Sequence, residues 1–270
     1  MKSYTEVFSD LKRRKEGALV AFAVIGDPDY ETSLKIAVKI AVSGADILEL
    51  GIPFSDPIAD GKTIQAADVR ALENGMNTDK AFEFVKDLRK YTDVPVGFLT
   101  YYNLVCQRGI EKFFQDAKKA EVNSILIADL SIEESGDVIR ASKRSGVDTV
   151  FMISQLSNEN RIKKIADNSN GFIYLVSRLG VTGARDELQT STLSFIKKVR
   201  RFTNKSLCVG FGISTPQHVK DIIKTGADGA IIGSAIVDLV GKNLKDKRKM
   251  IYYIGDFVGK LKESTKIKNN

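Results

Sequence analysis

Short, continuous apolar runs recur along the chain, and longer segments between them carry apolar residues at helical spacing. Such runs are typical of parallel strands that are buried on both faces, whereas the segments between them are typical of amphipathic helices. The strands predicted from this pattern cover residues 18–25, 47–50, 95–99, 124–128, 149–153, 172–176, 207–210 and 229–233.

Helices are predicted between these strands from the helical period, from glycines that follow periodic segments and from a capping box at residues 131–134. Their ranges are 4–16, 31–43, 63–73, 79–91, 109–120, 131–145, 158–168, 190–202 and 215–225, with further helix from about 234 to 261.

Strands that alternate with helices favour a parallel sheet, and eight such repeats match a closed barrel better than an open sheet. We therefore expect an α/β fold, a (β/α)8 TIM barrel. The helix at 4–16 and a second helix between strands two and three are additions to the eightfold plan. Because no linker or composition break interrupts the chain, a single domain is expected over residues 1–270, with a frayed tail at its end.

Composition narrows the class of protein. The chain has 270 residues, of which 43% are hydrophobic and 28% charged, and its net charge is +7. Many lysines lie in the last helix and tail, but no aromatic stacking platform or base-reading motif accompanies them, so we expect no nucleic-acid partner. No apolar run is long enough to span a membrane, and no secretory signal is seen at the N-terminus. Cys106 and Cys208 are expected to be free thiols in a reduced, cytoplasmic compartment.

The most informative stretch covers residues 48–61, LELGIPFSDPIADG. Glu49 lies inside an apolar strand, where burial disfavours its charged form and raises its pKa. This makes Glu49 a candidate proton carrier near neutral pH. Asp60 lies in the following loop, from which a second carboxylate can reach the same pocket. Taken alone, each carboxylate also allows a structural interpretation, a salt bridge for Glu49 and a cap or turn for Asp60.

In barrels of this type the active site lies at the carboxyl ends of the strands. Tyr174 is in strand six, and residues 177–185 form a long loop of the kind that often acts as a lid. Small residues at the ends of strands seven and eight let backbone N–H groups approach an anion. The phosphate site predicted there comprises Gly183, Gly210, Gly212, Gly233 and Ser234.

The single histidine, His218, is interpreted as a solvated residue in the first turn of a helix. No cluster of Cys, His and carboxylate residues has the spacing of a metal site, and one histidine does not support a Ser-His-Asp arrangement. We therefore expect no metal.

These segments closely resemble the tryptophan synthase alpha subunit family over nearly the whole chain, except for the lysine-rich tail. Besides residues 48–61, the resemblance is carried by Tyr101-Tyr102-Asn103, Ala128-Asp129-Leu130, Ser177-Arg178, Gly180-Val181-Thr182-Gly183-Ala184, Gly210-Phe211-Gly212-Ile213-Ser214 and Gly233-Ser234-Ala235-Ile236. The family fold, an eightfold barrel, agrees with the strand count reached from the pattern.

The resemblance implies a retro-aldol cleavage of indole-3-glycerol phosphate to indole and D-glyceraldehyde 3-phosphate. It assigns the proton transfers to Glu49, contact with the indole N1–H to Asp60, and a positioning role to Tyr174. The other substrate-binding residues that it implies are Phe22, Leu99, Leu126, Thr182, Phe211 and Ile231.

The resemblance also implies that this chain needs no cofactor. Indole would pass to a beta subunit that uses pyridoxal phosphate to make L-tryptophan, in an expected heterotetramer of two alpha and two beta chains. The loop at 53–60 and the loop at Gly180 would lie at that interface.

The chain departs from the family pattern at a few positions. Lys62, Leu104 and Ser131 each replace an expected proline, and Ser154-Gln155-Leu156 replaces the usual Ala-Pro-Thr after strand five. The last change alters the expected shape of the neighbouring pocket wall.

Two other functions remain open from the residues. Another phosphate-binding barrel, such as an isomerase or epimerase of sugar or indole metabolism, would share the phosphate site but gives no reason for the loop that joins Glu49 to Asp60. A non-catalytic partner of a beta subunit would keep the interface loop but would not need both carboxylates. Indole formation by the isolated chain distinguishes these functions.

Overall fold

The structure, a computed structural model, describes residues 1–176, 190–210 and 212–267. Its strands are β1 (Ala18–Val24), β2 (Ile47–Gly51), β3 (Val96–Thr100), β4 (Ser124–Ile127), β5 (Asp148–Thr149), β6 (Phe151–Ser154), β7 (Ile173–Val176), β8 (Leu207–Gly210) and β9 (Gly229–Ile232). Its helices are α1 (Tyr4–Arg14), α2 (Tyr30–Val42), α3 (Lys62–Glu73), α4 (Thr78–Leu88), α5 (Tyr102–Arg108), α6 (Ile110–Lys119), α7 (Gly136–Ser145), α8 (Glu159–Asn168), α9 (Thr190–Arg200), α10 (Pro216–Lys224), α11 (Ser234–Lys242) and α12 (Lys247–Glu263).

The strands form one parallel sheet whose first and last strands meet. Their order is β5-β4-β3-β2-β1-β9-β8-β7-β6, and neighbouring strands pair in parallel. β5 and β6 are consecutive in the chain and are separated only by Val150, so the two ends of this order meet. The predicted TIM barrel is confirmed.

The predicted fifth strand is divided into two segments. β5 pairs with β4, whereas β6 pairs with β7. Between them, the Val150 N–H donates to the Ile125 carbonyl at 3.1 Å, and the Thr149 carbonyl accepts from the Asn170 N–H at 3.0 Å. The chain therefore turns from one neighbouring strand to the other at this point, and nine segments build an eightfold barrel.

Side chains alternate between the barrel interior and the layer beneath the helices, as the pleat of a strand requires. In β1, Val20 belongs to the interior cluster, whereas Leu19 packs in the outer cluster with the helices. The strand residues of the interior cluster are Ala18, Val20, Ile47, Leu126, Tyr174, Cys208 and Ile231, with Val150 and Phe172 beside them.

Helix α1 closes the N-terminal end of the barrel. A capping box between Ser3 and Glu6 starts the helix, and its apolar face joins the interior cluster. The Tyr4 ring packs edge-on against Phe172 with ring centroids 5.6 Å apart, and its hydroxyl lies 2.7 Å from Ser124 Oγ. Because α1 fills this end, the open mouth of the barrel is at the carboxyl ends of the strands.

The predicted helix start at residues 131–134 is wrong. Ser131 Oγ donates to Glu134 Oε2 at 2.9 Å, and Ser135 Oγ donates to the Ile132 carbonyl at 2.9 Å. These hydrogen bonds stabilise a turn in place of the predicted first helical turn. Serine side chains compete with helical hydrogen bonds in this way, and α7 begins only at Gly136. Helix α5, which contains Cys106 and follows β3, was not predicted.

The C-terminal region also differs from its prediction. The expected helix is divided into α11 and α12, and Asp246 caps α12 by accepting the Lys249 N–H at 3.0 Å. The residues after α12 remain bound to the barrel as far as Ile267, whose N–H donates to the Lys15 carbonyl at 3.0 Å. Lys262 near the end of α12 pairs with Asp46 at 2.8 Å, which fixes this region to the base of β2.

Both cysteines are free thiols, but only Cys208 lies in a strand. Cys106 is exposed on α5, the helix that follows β3. Among the described residues, no helix is long and apolar enough to cross a membrane.

Candidate active site

Glu49 lies in the barrel interior, in the middle of β2. It pairs in register with Phe22 of β1 and with Gly97 of β3, and its flanking leucines, Leu48 and Leu50, face the outer cluster. Only 4% of Glu49 is exposed. Desolvation, and secondarily the negative charge of Asp60, raise the pKa of Glu49 to about 8. At neutral pH this carboxyl group therefore holds a proton in most molecules.

The floor beneath Glu49 is closed. The surrounding side chains, which include Tyr4, Ser124 and Leu126, leave no room for a water molecule between them. Burial raises the pKa of the Tyr4 hydroxyl well above its ordinary value, and the carboxylate of Glu49 adds to the shift. The carboxyl group can therefore exchange protons only through the mouth of the barrel.

Asp60 is held at that mouth by a tyrosine that follows β3. The Tyr101 hydroxyl donates to Asp60 Oδ2 at 2.6 Å and accepts the Ala59 N–H at 3.1 Å. The Tyr101 ring stacks on Phe54, with ring centroids 5.1 Å apart. Burial raises the pKa of Asp60, whereas the hydrogen bond from Tyr101 lowers it. This role of Tyr101 was not predicted from the sequence, because its contact with Asp60 joins segments 41 residues apart.

The structure brings the predicted apolar residues to the interior around Glu49. Phe22, Leu126, Tyr174 and Ile231 are all buried. A side chain on Gly51 would collide with the Phe22 ring, whose nearest atom would lie 2.8 Å from the added Cβ, and a Cβ on Gly233 would lie 3.3 Å from the same ring. The charges of Glu49 and Asp60 add to the burial that raises the pKa of the Tyr174 hydroxyl well above its ordinary value.

A ring of half-buried residues lies one layer nearer the mouth. Leu99 was predicted to line the pocket and is partly buried there. Ala128, Met152 and Val176 belong to the same layer, packed against the interior cluster, and were missed. The sequence signal for these residues is the alternation of side chains along a strand, in which residues two positions apart share a face. Ala128 lies two positions after Leu126, and Val176 two positions after Tyr174.

The ends of β8 and β9 lie side by side, because Cys208 pairs with Gly229 and Val209 with Ala230. Gly212 follows β8 by two residues, and Gly233 follows β9 directly. Gly212 has φ +81°, a conformation that glycine adopts without strain. Helix α11 starts directly after Gly233, whose carbonyl accepts the N–H groups of Ile236 and Val237, in the first turn, at 2.8 and 3.2 Å.

Four backbone N–H groups at this edge have no acceptor among the described residues. They belong to Gly212, Ile213, Ser234 and Ala235. Free N–H groups at a helix N-terminus and on a glycine turn suit an anion, because their partial positive charges point to it. Gly210 differs from the others. A side chain there would collide with the Tyr174 hydroxyl at 2.3 Å, so its small size is required by the tyrosine.

Three predicted residues, Thr182, Gly183 and Phe211, lie outside the described residues, as does the loop that begins at Ser177 and contains Gly180. Of the departures noted in the sequence, Lys62 begins α3 with an exposed side chain, and Leu104 lies in α5. Leu156 is 76% exposed, and the Ser154 N–H is bound by Ser157 Oγ at 3.3 Å.

A further acidic residue near the site was missed. Asp68 lies on the inner face of α3 and is 4% exposed. Desolvation raises its pKa to about 8, and the charges of Asp60 and Asp27 contribute to the shift. Asp27 itself is paired with Arg70, through contacts of 2.7 and 2.9 Å. The signal in the sequence is an aspartate at an apolar position of α3, between Ala67 and Ala71.

The prediction for His218 is wrong, since only 3% of this residue is exposed. It faces inward from the first turn of α10, and its Nδ1 accepts the Ser214 N–H at 3.4 Å. Among the described residues no group of His, Cys, Asp and Glu side chains has the arrangement of a metal site.

The chain is similar to known proteins over nearly its whole length. The family model described as tryptophan synthase alpha chain matches residues 8–266. A tryptophan synthase alpha chain of Methanothermobacter thermautotrophicus is 45% identical over 261 residues, which are 96% of this chain and 95% of that protein. One from Methanocaldococcus jannaschii is 48% identical over 242 residues, 89% of this chain and 85% of that protein.

Solved structures show the same likeness. A chain of the tryptophan synthase a2b2 complex of Pyrococcus furiosus superimposes with a TM-score of 0.86 at 36% identity, covering 92% of this chain and 98% of that chain. A chain of Mycobacterium tuberculosis tryptophan synthase superimposes with a TM-score of 0.90 at 26% identity, covering 99% of this chain and 100% of that chain.

Proposed function

The chain belongs to the tryptophan synthase alpha chain family, and from this premise we propose that Glu49 and Asp60 are the catalytic groups of its reaction. That reaction is the retro-aldol cleavage of indole-3-glycerol phosphate to indole and D-glyceraldehyde 3-phosphate. The observation that supports these assignments is the burial of the Glu49 carboxyl group in the barrel interior, in electrostatic contact with Asp60 at the mouth.

Glu49 carries both proton transfers in this proposal. Because its pKa is raised to about 8, the group begins the cycle protonated and can give its proton to C3 of the indole ring. The resulting carboxylate then takes the proton of the side-chain hydroxyl, an aldehyde forms, and the carbon–carbon bond breaks. The bonding electrons return to the indole ring, and Glu49 ends the cycle protonated.

Asp60 stabilises the charge that develops when C3 is protonated. Protonation makes N1 of the indole electron-poor, and an ionised carboxylate that accepts the N1–H favours that state. The Tyr101 hydroxyl donates to Asp60 Oδ2 and so favours the ionised form. The two carboxyl groups therefore take different roles because their surroundings differ.

The substrate lies between an apolar floor and a polar rim. Phe22, Leu126, Tyr174 and Ile231 bury apolar surface with the indole, and the half-buried Leu99 closes one side. The N–H groups at the ends of β8 and β9 take the phosphate, mainly those of Gly212 and Ser234. Thr182, Gly183 and Phe211 are assigned to substrate and phosphate from the family resemblance.

This chain needs no cofactor of its own in the proposed reaction, since acid–base groups supply its chemistry. We further propose that it works in the cytoplasm and delivers indole to a beta subunit that uses pyridoxal phosphate, in a complex of two alpha and two beta chains. The Pyrococcus furiosus a2b2 complex supports this assembly. The loop at 53–60 forms part of the docking face and exposes 81% of Ile58.

The proposal is tested by assaying indole formation from indole-3-glycerol phosphate with the isolated chain and two variants. Glu49→Gln keeps the size of the side chain but cannot exchange a proton, so kcat should fall beyond the range of a single general acid, about 10²–10⁴-fold. Asp60→Asn removes the charge that faces N1, and we expect a loss of about 10²–10³-fold.

Circular dichroism serves as the folding control, and binding of a substrate analogue should survive in both variants. A folded Glu49→Gln protein that keeps more than about a tenth of the wild-type kcat would contradict the assignment. In that case a non-catalytic partner or another phosphate-binding barrel would be favoured.

A further inference from the structure

The only histidine of the chain is buried beside the loop that follows β8. His218 lies in the first turn of α10, where Thr215 Oγ1 accepts its backbone N–H at 3.2 Å. Its imidazole Nδ1 accepts the Ser214 N–H at 3.4 Å. The ring therefore faces the residues between β8 and α10, and the reaction described above does not use it.

The backbone N–H of Ser214 differs from those of its neighbours in the turn because it has an acceptor. The N–H groups of Gly212 and Ile213 have no acceptor among the described residues, whereas that of Ser214 is taken by the imidazole. The bond requires an unprotonated Nδ1, so the proton of the neutral ring is on Nε2. Ile213 is 3% exposed, so the turn is also fixed by packing at its centre.

We propose that His218 is a positioning residue for the phosphate group of the substrate. By holding the Ser214 N–H, the imidazole orients the turn so that the Gly212 and Ile213 N–H groups face the anion. Preorganised donors bind an anion more tightly than donors that must be ordered on binding. His218 does not touch the phosphate, and the inference rests on the phosphate site proposed above.

The test compares two substitutions that differ in one hydrogen-bond acceptor. His218→Leu fills the buried space without an acceptor, whereas in His218→Asn the side-chain Oδ1 takes the place of Nδ1. For His218→Leu, KM for indole-3-glycerol phosphate should rise about twofold to tenfold, as expected for the loss of one neutral hydrogen bond. The inhibition constant of inorganic phosphate should rise by the same factor, with kcat within about twofold of wild type.

His218→Asn should restore both constants to within about twofold of wild type. If His218→Leu leaves KM and phosphate inhibition unchanged, or lowers kcat alone, the positioning role is overturned and the phosphate site stands. If wild-type protein is not inhibited by inorganic phosphate and Gly233→Asp leaves KM unchanged, the phosphate site itself fails and this inference fails with it.

A measurement on wild-type protein covers the case in which His218→Leu does not fold. Hydrogen exchange followed by NMR should show a protected Ser214 amide both with and without inorganic phosphate. The amides of Gly212 and Ile213 should become protected only when phosphate is added. Exchange of the Ser214 amide as fast as that of an open loop would overturn the role of His218.

Discussion

At the scale of single residues, the site depends on carboxyl groups whose surroundings set their proton affinity. Glu49 occupies a position of the barrel interior that would suit an apolar side chain, and burial raises its pKa to about 8. Asp60 is closer to solvent, and a hydroxyl donor opposes the effect of burial on its pKa. Two acids of similar chemistry are thereby made unequal, which is what an acid–base reaction at neutral pH requires.

The raised pKa of Glu49 predicts how stability changes with pH. Between its ordinary pKa of 4.5 and about 8, the folded protein binds a proton that the unfolded chain releases. The free energy of unfolding should therefore fall as pH rises through this window and level off above it. Glu49→Gln lacks this loss, so its stability relative to wild type should increase from about pH 5 to about pH 8.

Urea unfolding of both proteins at the two pH values measures the difference. Asp68, whose pKa is also raised to about 8, contributes to the slope of both proteins and cancels in the comparison. A stability difference that is constant across the window would show that Glu49 is not buried as a protonated acid.

Removing the hydroxyl of Tyr101 should change the acid side of the pH–rate profile. Tyr101→Phe keeps the ring that stacks on Phe54 but deletes the hydrogen bond that lowers the pKa of Asp60. A hydrogen bond to a charged group is worth about 1.5–3 kcal/mol, so the acid limb of kcat should move up by about one pH unit or more. Tyr102→Phe, at the neighbouring tyrosine, is the matched control and should leave the limb in place. Identical profiles for all three proteins would exclude Tyr101 from this role.

At the scale of elements, the proposed phosphate site is built by β8, β9 and the helices that follow them. Parallel pairing brings the two strand ends together, and α10 and α11 are the helices that follow β8 and β9 in the chain. Since neither Gly212 nor Ser234 needs a charged side chain to offer its N–H, the site relies on backbone placement. The site therefore depends on the register of β8 and β9 and on small residues that let the backbone N–H groups approach the phosphate.

Substitutions at Gly233 and Ser234 test the backbone site. Gly233→Asp places a negative charge against the phosphate, and KM should rise about 10–100-fold, the range for losing charge-assisted hydrogen bonds. Because a Cβ at Gly233 would lie 3.3 Å from the Phe22 ring, Gly233→Ala is the control for size alone and should have a smaller effect. Ser234→Ala retains its N–H and should be milder still. An equal rise in KM for Ser234→Ala and Gly233→Asp would contradict binding through the backbone.

At the scale of the whole molecule, one end of the barrel is closed and the other is open to a partner. Helix α1 and the anchored C-terminal residues cover the N-terminal end of the strands. The loop between β2 and α3 stands at the opposite end and carries both Asp60 and the exposed Ile58. A partner docked on this loop would therefore contact the same segment that holds the Asp60 carboxylate.

Mixing the chain with a cognate beta subunit should shift its elution volume in gel filtration and raise the rate of indole formation. Ile58→Asp should weaken the complex by about 10–100-fold, since burial of such a side chain contributes about 1.5–3 kcal/mol. Tyr252→Asp, at an exposed tyrosine of α12, is the control and should assemble as wild type does. An unchanged elution volume together with an unchanged rate would leave the docking face unsupported.

The sequence by itself determined the barrel and identified Glu49 and Asp60 as candidate catalytic groups. The apolar runs predicted the eight strand positions because parallel strands buried on both faces leave a continuous signal. Glu49 was noticed because a carboxylate inside an apolar strand is visible without knowledge of contacts, and the family resemblance of residues 48–61 then assigned roles to Glu49 and Asp60. The turn at residues 131–134 and the omission of α5 show where local pattern fails, since side-chain hydrogen bonds and short helices leave weak periodic signals.

Only the tertiary structure decided which residues surround those groups. The bond from Tyr101 to Asp60 joins residues 41 positions apart, and the inward position of His218 depends on how α10 packs against β9. Burial of Asp68 likewise depends on the placement of α3 beside the mouth. Such contacts arise from the closure of the barrel, which brings distant segments to one edge, and a local pattern of apolar and polar residues does not contain that distance information.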